Sequence, residues 1–100
     1  MKGVVFETEH GCTVRCGCCG AHLHLLFRNA LMVVDCAQFD QFRASLASFD
    51  AEDAVVNTPM GLRVVLRASS SASAYLFTSD EFAELRQLVD GTGLMLELDG

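Results

Sequence analysis

Five cysteines and three histidines are the side chains in this 100-residue sequence best suited to hold a metal or to act as nucleophiles. Four of the cysteines fall between positions 12 and 19, and the fifth is Cys36. Within the cluster, Cys16-Gly17-Cys18-Cys19-Gly20 contains a Cys-x-x-Cys-Gly knuckle. Two thiolates on a tight turn converge on one ion, and a glycine after the second accepts the positive φ that such a turn uses. One knuckle supplies two ligands, whereas a structural zinc takes four. The chemistry therefore depends on which other donors the fold brings alongside.

Hairpin arithmetic supplies a third. A two-residue turn at Arg28-Asn29 pairs Phe27 with Ala30, Leu25 with Met32, Leu23 with Val34 and Ala21 with Cys36. A three-residue turn sets Cys36 opposite His22 instead. Either register predicts Cys36 beside the knuckle, and Cys16-x2-Cys19-x16-Cys36 matches the first three ligands of a common zinc pattern. The fourth position of that pattern is Phe39, which binds no metal. Cys18, His22, His24, Cys12 and His10 remain. Cys12 lies about 13 Å from Cys16 along a strand, and His22 is nearest in register. The candidate zinc ligands are thus Cys16, Cys19, Cys36 and His22. A simple turn at Gly17-Cys18 turns His22 and His24 away from the thiols, and a bulge there reverses the parity. Reduced thiols packed as small hydrophobes are the competing reading, in a core face of Cys12, Val14, Ala21, Leu23, Leu25, Phe27, Met32 and Val34.

The elements that position these groups follow from periodicity. Val4 to Phe6, Cys12 to Cys16, Ala21 to Phe27 and Leu31 to Val34 have the alternation or β-branched content of strands. Phe39, Phe42, Leu46 and Phe49 then recur at helical spacing, and Asp35 with Gln38 forms a capping box. The second half follows the same plan. Strands are expected at Ala54 to Val56, Leu62 to Leu66 and Tyr75 to Phe77. A helix then buries Phe82, Leu85, Leu88 and Val89, capped by Thr78 and Glu81. Gly91 reads as its stop, and Leu94 to Leu98 as a closing strand. Asp35 and Thr78, Gln38 and Glu81, Phe39 and Phe82, Arg43 and Arg86 are all separated by the same interval. The expected fold is α+β: one domain over residues 1–100, mainly antiparallel sheet with two helices on one face. It divides into two similar β-hairpin–helix units, about 11–50 and 54–98.

Composition narrows the partners. Half of the residues are hydrophobic (51%) and the net charge is −6, with seven Lys and Arg along the whole chain. Nucleic-acid backbones and anionic membranes call for clustered basic residues, so neither is an expected partner. No stretch has the make-up of a signal peptide or a bilayer span, and the odd cysteine count suits a reducing compartment, so a cytoplasmic location is expected. Leu26, Leu31 and Val33, with His22 and His24, fall on the sheet face opposite the helices, and a patch of this kind marks an interface. A homodimer is the simplest assembly to cover it, with another protein partner as the alternative.

Cys16-x-x-Cys19-Gly20, Leu23, Leu25, Phe27, Asp35, Phe39 and Phe42 carry a resemblance. The stretch from Gly11 to Phe42 resembles a small bacterial domain family with a cysteine pair and glycine, a leucine-rich strand, a loop, a second strand and a helix bearing two phenylalanines. The resemblance implies a strand–loop–strand–helix unit and no particular activity. The functional expectation is a non-enzymatic interaction domain, with stabilisation by zinc at the cysteine cluster as one reading and inert reduced thiols as the other. The alternative is a thiol- or metal-dependent enzyme, or a metal carrier, using the same cysteines.

Overall fold

The chain alternates strands and helices in the order β1 (Val4–Glu7), β2 (Gly11–Arg15), β3 (His22–Phe27), β4 (Ala30–Asp35), α1 (Cys36–Ser48), β5 (Val55–Thr58), β6 (Gly61–Arg67), β7 (Ala74–Phe77) and α2 (Ser79–Asp99). The computed structural model describes residues 3–15, 22–49, 54–67 and 74–99. The fold is α+β as expected, with the strands divided between two antiparallel sheets, β1-β2-β3-β4 and β5-β6-β7. Each sheet leads into a helix.

The β3–β4 hairpin has the two-residue turn expected at Arg28-Asn29. Its register runs from Phe27↔Ala30 through Leu25↔Met32 and Leu23↔Val34 to His22↔Asp35. Arg28 takes a positive φ of 54° to make that turn. Alternation then puts Leu23, Leu25, Phe27 and Val34 into the core. Both helices begin as the sequence indicates. Asp35 Oδ1 accepts from the Gln38 amide at 2.8 Å while the Asp35 amide donates to Gln38 Oε1 at 3.0 Å. Thr78 Oγ1 accepts from the Glu81 amide at 3.1 Å, and the Thr78 amide donates to Glu81 Oε1 at 2.7 Å. Each pair satisfies two backbone donors that a helix start would otherwise leave open.

The core draws on both halves of the chain: Phe39 and Leu46 from α1, Val64 from β6, and Phe82, Leu85, Leu88 and Val89 from α2. α1 packs on β3, β4 and α2, whereas α2 touches β1 and β2 of the first sheet and β6 and β7 of the second. Arg86 of α2 donates to the Phe49 carbonyl just beyond α1, and its guanidinium stands 4.8 Å from the centre of the Phe82 ring.

Three expectations are corrected. Leu94 to Leu98 is not a strand, and Gly91 does not end the second helix: α2 runs on to Asp99. The Gly91-Thr92-Gly93 segment is helical and packed against other elements, and its two glycines leave the room those elements need. Phe6 crosses at Gly91, where an added Cβ would lie 2.7 Å from the ring's Cδ2 and closer to its edge. Arg43 crosses at Gly93 in the same way. Thr92 is fully buried, donating to the Leu88 carbonyl at 2.7 Å and lying 2.8 Å from the hydroxyl of Thr13, also fully buried. With its one proton given to Leu88, Thr92 receives the Thr13 hydroxyl, so both polar groups are satisfied.

The third correction concerns β2. Thr13 pairs with Leu25 and faces the core, while Cys12 and Val14 pair with Leu26 and His24 on the opposite face. A two-residue turn at Gly17-Cys18 would have set Cys12 opposite Leu23 on one face; the observed register sets it opposite Leu26, a shift of three residues, and an odd shift exchanges the faces.

Candidate functional site

Cys36 and His22, two of the four candidate zinc ligands, lie in described parts of the fold. Because His22 pairs with Asp35, Cys36 comes one residue past the partner of His22, as the first residue of α1. Both are exposed, and Cys36 is a free thiol. The carboxylate of Asp35, between them in the register, is committed to the capping box. Cys16 and Cys19 fall outside the described residues, as do Cys18, the acidic Asp50, Glu52 and Asp53 segment, and the serines from Ser69 to Ser73. Among the described residues no group of three or more His, Cys, Asp and Glu side chains comes together as a metal site. Cys12, also a free thiol, is half-buried on the outer face of the first sheet.

That outer face bears Cys12 and Val14 from β2, His22, His24 and Leu26 from β3, and Leu31 and Val33 from β4. Leu26, Leu31 and Val33 are 39%, 58% and 54% exposed, which matches their expected position opposite the helices. Glu7 and Asp35 stand at the margins of the same face by register, across from Cys12 and His22.

A second cluster escaped sequence reasoning. Glu84 of α2 reaches the end of the first sheet, where the β1–β2 and β3–β4 turns lie side by side. Its Oε2 accepts from the Thr8 hydroxyl at 2.8 Å and from the His10 amide at 2.6 Å, and its Oε1 lies 2.9 Å from His10 Nδ1. Arg28 adds ion pairs at 3.5 Å to both Glu84 and Glu81. Burial pushes the Glu84 carboxyl up. The hydrogen bonds from the His10 ring, the Thr8 hydroxyl and the His10 amide outweigh it and bring the pKa down to about 2. Glu81 is also held below the ordinary carboxylate range, first by the Thr78 amide and, against the opposing effect of burial, by Arg28. The arrangement clamps two sheet turns onto a helix. No spacing in the sequence announces it, because its members come from two sheet turns and a helix far apart in the chain and meet only through the packing of α2.

Comparison with protein-family models, with curated proteins and with solved structures finds no match to this chain. No helix of the described residues is long and apolar enough to cross a membrane.

Proposed function

We propose that this chain is a small cytoplasmic, non-enzymatic interaction domain that pairs with a second copy of itself through the outer face of its first sheet. The observation that carries this reading is the exposure of Leu26, Leu31 and Val33 together on one sheet face. Contiguous apolar surface of this kind is unusual on a monomer and common at interfaces. Charge favours a second copy as the occupant. The chain has a net charge of −6, yet the centre of this face bears aliphatic, cysteine and histidine side chains, with Glu7 and Asp35 only at its margins. Two identical copies can therefore meet there without opposing carboxylates, as a two-fold interface requires. Sedimentation equilibrium checks it: the wild type should be a dimer and Leu31→Glu a monomer. A monomeric wild type, or a variant that still dimerises, removes the interface.

A zinc ion held by Cys16, Cys19, Cys36 and His22 is a second reading, supported by the register that sets exposed Cys36 next to exposed His22. Protein purified without chelator should contain one zinc per chain, retained by Cys12→Ser and lost by Cys36→Ser. A metal-free wild type, or retention by Cys36→Ser, counts against it. Loosely held metal would favour the alternative of a carrier or a thiol- or metal-dependent enzyme.

A further inference from the structure

On the side of the first sheet away from the outer patch, a cleft of about 480 Å³ opens between α1, the inner face of β3–β4, and β6–β7. We propose that this cleft binds an uncharged, planar aromatic small molecule.

Size is the first argument. Small-molecule sites commonly occupy ~300–1,000 Å³ and are mostly apolar with a few polar groups. Here the floor is Leu25, Phe27 and Met32 with Leu85 of α2, and the half-buried Phe42 and Leu66 line the sides.

Ring content is the second. The chain has seven Phe and one Tyr, and Phe27, Phe42, Tyr75 and Phe77 all line this cleft. Tyr75 stacks on Phe77 with centroids 6.3 Å apart and planes 19° from parallel, while Phe27 meets Phe77 edge-on at 5.9 Å. Flat faces and ring edges of this kind favour a flat aromatic guest in offset-stacked or edge-to-face contact.

Charge is the third. A fifth of the chain is Asp, Glu, Lys or Arg, yet among the described residues none of these types, nor histidine, lines the cleft. An ion placed there would be partly desolvated without a partner. The polar groups present are neutral: Gln38, Gln41 and Ser45 on the exposed flank of α1, and the Tyr75 hydroxyl. They offer hydrogen bonds to an oxygen or nitrogen at the edge of the guest and nothing to a full charge.

The probe is Nile red, which is planar and uncharged, followed by its own emission. It should bind one per chain and saturate with a Kd of roughly 1–100 µM. As the sequence has one tyrosine and no tryptophan, emission from Tyr75 should fall in parallel. Ser45→Trp, which fills the cleft from an exposed position, should weaken binding at least tenfold, and Gln41→Trp serves if that variant misfolds by circular dichroism. Leu31→Glu, on the opposite face, should leave binding unchanged. Anilinonaphthalene sulfonate, an aromatic anion, should bind at least tenfold more weakly. No saturable binding to the wild type overturns the proposal. So do equal binding by both tryptophan variants, loss of binding in Leu31→Glu, equal affinity for the anion, or affinity that falls as rising protein concentration lets a second copy fill the cleft.

Discussion

Asp35 and Thr78 start the two helices with the same pair of reciprocal bonds, yet α1 ends after 13 residues and α2 continues for 21. Their surroundings account for the difference. α1 covers β3 and β4 with one apolar stripe, and where that stripe ends at Phe49 the helix ends too. α2 lies against both sheets and against α1, so its later turns meet Phe6, Thr13 and Arg43. Local signals fix where a helix begins, because a cap is a contact between residues three apart. Where it stops depends on what it touches. Gly-Thr-Gly has weak helix propensity on its own, and tertiary contact overrides it here.

The largest expected effect tests whether α2 is the central element. Leu88 is fully buried on α2, the helix that touches both sheets, so Leu88→Ala should cost about 2–5 kcal/mol. Phe42→Ala, at a half-buried position of α1, should cost less although it removes more atoms. Urea unfolding of both variants ranks them, and a reversed order would undo the distinction between cover and joint. Next comes Gly91→Ala. Alanine favours helix by up to about 1 kcal/mol over glycine, but its Cβ collides with the ring of Phe6, an overpacking that costs about 1–3 kcal/mol. The net should be destabilising. A more stable Gly91→Ala would show that Phe6 can swing away and that its crossing does not require the glycine.

Much of the fold was legible because it is encoded locally. The Arg28-Asn29 turn, both capping boxes, and the buried stripe of Phe82, Leu85, Leu88 and Val89 all rest on neighbours within a few positions. The errors share a different cause. Leu94-Met95-Leu96-Glu97-Leu98 alternates as a strand would, and only its continuity with a buried helix makes it helical; Leu96 packs on the core while Leu98 is exposed. The parity of β2 depends on the length of a connection, which its residue types do not fix. The outer patch was legible as soon as the β3–β4 register was. The Glu84 clamp was not, since Thr8 and His10 lie more than seventy positions from their partner.

That clamp provides the next test, because it ties α2 and has no counterpart on α1 in the described residues. The folded-state pKa of Glu84, about 2, lies below its ordinary value of 4.5. The carboxylate therefore contributes stability that is fully present above pH 4.5 and is lost as pH falls toward 2. Glu84→Gln keeps the shape and removes the charge, at a cost of about 1–2 kcal/mol near neutral pH. Unfolding curves of wild type and variant should converge as pH drops through this window. A gap that stays constant from pH 6 to pH 2 would mean the hydrogen bonds work equally well without the charge.

The smallest effect sharpens the contrast between two glycines two residues apart in α2. Gly93, like Gly91, has no room for a Cβ: the added atom would lie 2.7 Å from Arg43 Nε and closer still to the rest of the guanidinium. The obstacle is different in kind. Phe6 is a short, rigid side chain packed against the core, so its ring gives way only by disturbing its neighbours, whereas the Arg43 guanidinium is the far end of a flexible side chain. What holds it are ion pairs to Glu97 at 2.9 Å and Asp90 at 3.7 Å, both with largely exposed carboxylates. Exposed pairs of this kind are worth about 0–1 kcal/mol, close to the helix propensity that alanine adds. Gly93→Ala should therefore change stability by less than about 1 kcal/mol. In an Arg43→Ala background, with the obstacle gone, the same substitution should stabilise by up to about 1 kcal/mol. The double-mutant cycle separates the two contributions: a Gly93→Ala cost as large as that of Gly91→Ala, undiminished when Arg43 is removed, would mean that backbone rather than the guanidinium closes off this site.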